Sequence, residues 1–350
     1  MRAALLLVGL AAALAGVGCG GERGEGPSAS ASGASTGDAA DELLVPTAGW
    51  ETDFSRHTVP LSEFQGGGPG KDGIPSIDVP MFVSGDEAAD WLSEREPVVE
   101  LELGGVARAY PLQILVWHEI VNDEVAGAPV AVTFCPLCNT ALVFDRRLDG
   151  RVLDFGTTGN LRNSDLVMYD RQTESWWQQF GGEAVVGELA GERLTQLPAR
   201  IVAWEDFAAR HPDGEVLSRE TGFTRSYGSN PYAGYDDVDS SPFFPVGRED
   251  DRLSPKERVV FLERGGDAAA VPFSVLSERE RLEVEVGEET FVVEWVPGVR
   301  SALDSSDIAE GREVGSARVT SASTGEPAVF DQPFWFAVAA FRPDVRVIDR

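Results

Sequence analysis

The stretch WHEIVNDEVAGAPVAVTFCPLCNTAL, residues 117–142, contains three of the six histidines and cysteines of this chain. It holds His118, one of three histidines, and Cys135 and Cys138, two of three cysteines. Apolar runs at 130–134 and 141–146 flank the cysteines and predict two strands joined by a CPLC turn. The stretch therefore predicts a strand, a turn with two thiols and a second strand.

The residues before this stretch predict a hairpin followed by a short helix. Residues 98–103 and 106–110 alternate like strands, and Gly104-Gly105 between them is typical of a two-residue turn. Pro111 suits the first turn of a helix that runs to Trp117, which places His118 at the helix end. The fold class that we expect is α+β and rich in strands.

An internal repeat extends this pattern to the second half of the chain. Residues 98–115 match residues 259–276 at an offset of 161, with 10 of 18 positions identical. Trp204 recurs as Trp335 at the shorter offset of 131. We interpret the chain as two related lobes, a first lobe at 71–220 and a degenerate second lobe at 256–350, joined by a linker at 221–255.

The second copy lacks the reactive side chains of the first. At the offset of 161, framework residues such as Gly105 and Pro111 are kept, whereas all three reactive residues are replaced. The replacements are Arg279 for His118, Val296 for Cys135 and Val299 for Cys138. Because the repeated framework manages without them, we predict a single functional site in the first lobe.

These three side chains point to a metal site. A Cys-x-x-Cys turn can chelate one ion, and His118 completes a Cys2His set suited to zinc or copper. Candidates for a fourth ligand are Met168, Asp165, Glu119, His211 and water. Two alternatives stay open for the cysteines: a dithiol that exchanges electrons, and a structural disulfide. A catalytic residue is not assigned.

A polar segment at 156–165, GTTGNLRNSD, follows the cysteine hairpin. It lacks the residues of a phosphate loop and the spacing of a dinucleotide fingerprint. We expect a polar pocket here, lined by Asn160, Arg162, Asn163 and Asp165, that binds an unknown small molecule or protein.

The N-terminus is typical of an exported protein. Residues 1–18 combine Arg2 with a short apolar run, which predicts a signal peptide, and Cys19 follows at the cleavage position. This pattern resembles bacterial lipoprotein signals, which implies lipidation of Cys19 and anchoring to the bilayer. Residues 19–70 are predicted to be the lipidated N-terminus and a disordered tether.

The charge of the chain excludes one class of partner. It carries 58 acidic and 29 basic residues, a net charge of -29. A protein this acidic repels phosphate backbones, so nucleic acid is excluded as a partner, and so is anionic lipid for the folded body.

Four motifs together resemble a known family. They are WHEIVND at 117–123, TFCPLC at 133–138, NSDLVMYDRQT at 163–173 and PYAGY at 231–235. They are similar to an exported prokaryotic family, domain of unknown function 3179, over residues 72–350. In that family Gly often follows the second cysteine, where this chain has Asn139. The resemblance supports the domain limits and the choice of site without supplying a reaction.

From these observations we expect an extracytoplasmic, membrane-tethered protein with a copper or zinc site in its first lobe. It would act as a metal-dependent enzyme or a metal-handling protein. A thiol-disulfide redox protein and a non-catalytic binding module that uses the cleft between the lobes are the alternatives.

Overall fold

The computed structural model of the protein describes residues 42–349, which fall in one compact unit. The predicted signal peptide at 1–18, Cys19 and the tether up to residue 41 lie outside the described residues. Strands account for 39% and helices for 12% of the described residues, so the prediction of a β-rich fold is confirmed. Within the described part of the chain, no helix is long and apolar enough to cross a membrane.

The first part of the described chain contains three short α-helices and sixteen strands. The helices are α1 Gly85–Ala88, α2 Leu112–His118 and α3 Trp204–Arg210. The strands are β1 Phe64–Gly66, β2 Phe82–Ser84, β3 Pro97–Leu103, β4 Val106–Pro111, β5 Ile120–Val125, β6 Ala128–Cys135, β7 Thr140–Asp145, β8 Arg147–Leu148, β9 Arg151–Val152, β10 Phe155–Arg162, β11 Asp165–Asp170, β12 Trp176–Gln178, β13 Glu183–Val186, β14 Thr195–Leu197, β15 Arg200–Ala203 and β16 Glu215–Leu217.

The remaining part of the described chain adds two α-helices and six strands. The helices are α4 Phe273–Arg279 and α5 Trp335–Phe341. The strands are β17 Val259–Arg264, β18 Asp267–Pro272, β19 Arg281–Val286, β20 Glu289–Val296, β21 Ser316–Ser321 and β22 Arg346–Val347. Single 3-10 turns lie at Leu61–Glu63 and Ile308–Glu310.

The strands form five larger sheets in a propeller-like arrangement, with β8 and β9 as a separate pair. The strand orders are β1-β10-β11-β12-β13, β14-β7-β6-β5, β15-β3-β4-β16-β2, β17-β18-β22 and β19-β20-β21.

Hairpin turns connect several neighbouring strands. Between β3 and β4, for example, Gly104 and Gly105 have φ of +58° and +81°, a left-handed conformation that glycine adopts without strain. The hairpin and helix predicted around Pro111 are therefore present.

Elements of the first part recur in the second at the offsets seen in the sequence. The bounds of β18, α4, β19 and β20 equal those of β4, α2, β5 and β6 plus 161, and α5 equals α3 plus 131. β16 pairs in parallel with β4 as β22 pairs with β18. The repeated order agrees with the sequence repeat. Because the described residues form one compact unit, the division into two related lobes stays a prediction.

Residues 42–70 differ from the prediction of a disordered tether that continues to residue 70. Val45, Leu61 and Phe64 are buried in one hydrophobic cluster with Trp176. The Trp50 ring also meets the Trp176 ring edge-on, with centroids 5.2 Å apart. The apolar side chains scattered between polar residues are thus enough to dock this segment on sheet β1-β10-β11-β12-β13.

The predicted linker at 221–255 contains no helix or strand but is fixed by buried polar contacts. Asp236 is fully buried and forms ion pairs with Arg258 and Arg312, at 3.2 and 2.8 Å. It also accepts a hydrogen bond from the Ser301 hydroxyl. Burial alone would raise the pKa of Asp236, but the two arginine charges outweigh it and hold the pKa below its usual value.

We expect Asp236→Asn to lower the free energy of unfolding by about 3 kcal/mol, because it leaves the buried Arg258 charge without its partner. The stabilisation that the Asp236 carboxylate gives the folded protein should be complete above the pKa of Asp236 in the unfolded chain. It should be lost as the pH falls through the lower pKa of Asp236 in the folded protein. Denaturant unfolding at several pH values measures both effects. The neighbouring, exposed Asp237→Asn is the matched control, and an equal loss in both variants would contradict the assignment.

Candidate functional site

The two cysteines lie on a tight connection between β6 and β7. Cys135 ends β6 and pairs with Thr140, the first residue of β7, so that residues 136–139 form the turn. Asn139 has a left-handed φ of +56°, which Asn tolerates better than most residues. The turn thus holds both thiols on one rigid hairpin.

The turn is covered by the segment that leads into α5. The Phe334 N–H donates to the Cys138 carbonyl at 2.9 Å, and the Asn139 side-chain amide donates to the Gln332 carbonyl at 2.8 Å. Cys135 and Cys138 are 1% and 0% exposed. The structure holds both as free thiols.

The structure brings a carboxylate, rather than an imidazole, to the thiols. Within residues 42–349, one group of at least three His, Cys, Asp or Glu side chains has its ligand atoms all within 4.8 Å of one another. It consists of Cys135, Cys138 and Asp165. All three are buried, so these residues form the candidate metal centre.

Asp165 reaches the thiols because the segment expected to line a polar pocket forms a hairpin. Residues 155–162 form β10, Asn163 and Ser164 form a two-residue turn with φ of +52° and +62°, and Asp165 begins β11. Positive φ at both central positions is typical of the type I′ turn that fits twisted strands. This correction places Asp165 at the start of a buried strand instead of at a polar pocket.

Several donors hold the Asp165 carboxylate. The Cys138 thiol donates to Oδ1 at 2.7 Å, the Phe180 N–H donates to Oδ2 at 2.9 Å, and the Gln178 side-chain amide also donates to Oδ2. Burial raises the pKa of Asp165 to about 6, although these hydrogen bonds offset part of the effect. Burial also raises the pKa of both cysteine thiols.

Glu119 is a further acid beside this group. It is 7% exposed, and among the described residues its carboxylate has no hydrogen-bond or ion-pair partner. Burial and the Asp165 charge raise the pKa of Glu119 to about 8. Its carbonyl accepts the Phe134 N–H at 2.8 Å, which anchors Glu119 next to the cysteine strand.

The repeat supplies an internal comparison for Glu119. The residue at the offset of 161 is Glu280, with φ of +62° against +59° for Glu119, and its carbonyl likewise accepts the Trp295 N–H at 2.8 Å. Glu280 is exposed to solvent, however. The backbone position is thus common to both copies, whereas only the first copy buries the carboxylate beside thiols.

Two tyrosines of the predicted linker close the other side of the centre. The Tyr235 hydroxyl donates to the Leu137 carbonyl, within the cysteine turn, at 2.8 Å. Tyr232 is half-buried, and burial together with the charges of Glu119 and Cys135 raises the pKa of its hydroxyl. The PYAGY motif is therefore part of the surroundings of the site.

A group of hydrogen-bonded side chains that the sequence analysis missed packs against the Cys138 thiol. The sulfur, whose proton is donated to Asp165, contacts the Thr140 hydroxyl at 3.3 Å, and this hydroxyl donates to the Gln179 side-chain oxygen at 2.6 Å. The Gln179 amide in turn donates to the Thr133 hydroxyl at 2.9 Å. The signal in the sequence was the pair of glutamines at 178–179 after the two tryptophans, since glutamine directly after buried aromatic residues needs hydrogen-bond partners.

His118 does not join the group, which corrects the predicted Cys2His ligand set. It ends α2 as predicted and is fully buried, but one ring nitrogen contacts the Pro75 carbonyl and the other the Tyr227 hydroxyl, each at 2.7 Å. A neutral ring that donates to Pro75 and accepts from Tyr227 satisfies both contacts. Burial lowers the pKa of His118, which agrees with a neutral ring.

The other candidate residues are not gathered into a pocket either. Arg162 forms an ion pair with Glu63 at 2.6 Å, Asn163 accepts the Gly247 N–H, and Asn160 lies within β10. Met168 is buried in the same hydrophobic cluster as both cysteines. His211 directly follows α3 and contacts Glu100 at 2.7 Å.

Comparison with known proteins identifies the family without a reaction. No curated protein and no solved structure matches the chain. The family model described as "Protein of unknown function (DUF3179)" matches residues 71–345. This match covers most of the chain, including both cysteines, Asp165 and the PYAGY motif. The chain therefore belongs to the DUF3179 family of proteins of unknown function.

Proposed function

We propose that the protein binds one zinc ion through Cys135, Cys138 and Asp165. The observation that carries the proposal is the convergence of these three ligand atoms within 4.8 Å in a buried place. Ligands of one tetrahedral zinc ion lie about 3.5 to 4 Å from each other, given zinc–sulfur distances near 2.3 Å. Small side-chain adjustments are enough to close the set around an ion.

Electrostatics supports a cation at this place. Cys135, Cys138, Asp165 and Glu119 all have raised pKa values, which means that burial disfavours their negative forms. Within residues 42–349, no Lys, Arg or His forms an ion pair with Asp165 or Glu119. A divalent cation would supply the positive charge that the protein itself does not.

Glu119 is our candidate for the fourth ligand. Its carboxylate is buried next to the Cys135 strand and lacks a protein partner among the described residues. It lies outside the group of ligand atoms within 4.8 Å of one another, so its side chain would have to move towards the thiols to bind the same ion. With Glu119, the ion would have two thiolate and two carboxylate ligands, which gives the four-coordinate arrangement that zinc prefers. With water in the fourth position instead, the centre would be open and could activate a substrate.

The carboxylate favours zinc over copper. Two thiols and an imidazole suit either metal, but replacing the imidazole by Asp165 adds a hard oxygen ligand. Copper in the reduced state prefers soft sulfur ligands, whereas zinc accepts sulfur, nitrogen and oxygen. The donor set thus narrows the copper-or-zinc expectation to zinc.

A thiol-disulfide redox role is a weaker candidate. Exchange requires a thiolate that a partner can reach. Burial instead raises the pKa of both thiols and leaves them at most 1% exposed. A non-catalytic binding module would leave the buried thiols without a role, so the metal centre accounts for more of the geometry.

The proposed setting is extracytoplasmic. The support is the signal-like run before Cys19, and an acylated Cys19 would be the anchor. We propose a lipoprotein that presents a zinc centre outside the cytoplasm as a metal-dependent enzyme or metal-handling protein.

Removing the ligands should remove the metal. Protein purified without a tag should contain about one zinc ion per chain, because the three ligand atoms converge on one place. The double variant Cys135→Ser, Cys138→Ser and the single variant Asp165→Asn should each lose most of it, as measured by elemental analysis. Asp170→Asn is the matched control, since Asp170 is a fully buried acid on the same strand that binds Thr173 and Trp177 instead. Metal-free wild-type protein, after reconstitution under reducing conditions, would refute the proposal.

Replacing His118 tests whether the third ligand is Asp165, as proposed here, or the histidine expected from the sequence. His118→Gln should retain about one zinc ion per chain, because the imidazole lies outside the group of ligand atoms. It should lower the free energy of unfolding by about 1 kcal/mol, and the melting temperature by several degrees, because it weakens the hydrogen bonds to Pro75 and Tyr227. Elemental analysis and calorimetry are the measurements. Loss of zinc from a folded variant would restore the ligand set expected from the sequence.

The anchor can be tested apart from the metal. The wild-type protein expressed with its own N-terminus should fractionate with membranes, and mass spectrometry should find acyl chains on Cys19. Cys19→Ser should move the protein to the soluble fraction, because one covalent attachment is removed. The double variant at Cys135 and Cys138 serves as the control and should stay with membranes. Membrane association that survives Cys19→Ser would contradict a lipid anchor at this residue.

A further inference from the structure

A cavity of about 330 Å³ lies beside the candidate zinc centre but does not include the thiols. Its walls are formed by the segment around Phe180, by the turn of the β17–β18 hairpin and by the extended residues 329–331, which lie beside β17. Phe180 connects it with the centre, because the Phe180 N–H donates to Asp165. The volume is within the range of sites for small molecules.

The cavity contains a buried acid with an unsatisfied oxygen. Asp331 is 6% exposed, and its Oδ1 accepts the N–H groups of Ala141 and Gln332 at 3.2 and 2.7 Å. The buried Oδ2 has no hydrogen-bond partner among the described residues. Such an atom is costly to leave unpaired. The terminal torsion of Asp is broad, so a small rotation can turn Oδ2 towards a donor in the cavity.

Positive charge lines the same cavity. Arg193 and Arg264 contribute side chains that are half and one-quarter exposed. Arg193 forms an ion pair with Glu183 at 3.2 Å and Arg264 donates to the Val329 carbonyl at 3.1 Å, so each guanidinium keeps other N–H groups for a ligand. The remaining acid of the wall, Glu263, is paired with Arg342 at 2.9 Å.

Apolar side chains complete the wall. Phe180, Phe261 and Phe330 line the cavity, and the rings of Phe180 and Phe261 lie 5.4 Å apart. An acid that lacks a donor, two arginines and an aromatic wall together match a molecule with an amine, a carboxylate and an apolar body.

We propose that this cavity binds a zwitterionic amino carboxylate with an apolar side chain. The ammonium group donates to Asp331, the carboxylate is held by Arg193 and Arg264, and the apolar body packs on the three phenylalanines. Leucine and phenylalanine have this chemistry and fit the volume. The inference does not rest on the zinc centre, since both cysteines lie outside the cavity wall.

Calorimetric titration of the full mature chain with leucine and phenylalanine tests the proposal. Either amino acid should bind, and the N-acetyl derivative and the amide, which lack the ammonium and the carboxylate charge respectively, should bind at least tenfold more weakly. Asp331→Asn and Arg193→Gln should each weaken binding at least tenfold. Arg151→Gln, which removes an exposed ion pair with Glu188, should leave it unchanged.

Three results would overturn the proposal. They are no binding by either amino acid, equal binding of the N-acetyl derivative, and equal binding by a folded Asp331→Asn variant. The titration is repeated on the Cys135→Ser, Cys138→Ser variant, which removes the proposed zinc ligands. Unchanged binding there supports an independent site, whereas its loss from a folded variant places the ligand on the metal centre and overturns the assignment to Asp331.

Discussion

The burial of acidic groups without a protein cation is the constraint on which the centre of this structure depends. Two thiols and the carboxylates of Asp165 and Glu119 lie within the packed interior. Burial makes the negative form of each group less stable than it is in water, as the raised pKa values show, and among the described residues no Lys, Arg or His pairs with either carboxylate. A cation at this place would reverse that preference, which is why we relate the cluster to a metal rather than to packing.

The rest of the fold holds these groups in place. Tight hairpins deliver Cys138 and Asp165 to each other, and the glutamines at 178–179 hold the Asp165 carboxylate and the threonines beside Cys138. Residues 332–334 and the PYAGY motif then cover the cysteine turn through bonds to its carbonyls. The ligand atoms of the proposed centre therefore come from residues 119–165, and residues from the later part of the chain cover the cysteine turn.

The repeated elements show how little of the framework is needed for this chemistry. Glu119 and Glu280 share a left-handed backbone, and the carbonyl of each accepts an N–H from the corresponding strand, β6 or β20. The two copies differ in what surrounds that position: valines stand at the cysteine positions of the second copy, and Glu280 faces solvent. A shared backbone with a different interior is what we expect when the first copy holds the proposed site and residues of the second copy pack over it.

The sequence by itself determined the local structure. The β3–β4 hairpin, the helix that ends at His118 and the cysteine turn are specified by glycine pairs, Pro111 and the alternation of apolar residues, because such features depend on neighbours along the chain.

The tertiary structure alone decided which side chains meet. The left-handed residue after α2 separates the directions of His118 and Glu119, so the imidazole contacts Pro75 and Tyr227 while the next residue lies beside the thiols. The two residues with positive φ, Asn163 and Ser164, form the hairpin turn that brings Asp165, 27 residues beyond Cys138, to the Cys138 thiol. Sequence spacing does not encode such meetings, because they depend on how separate sheets pack.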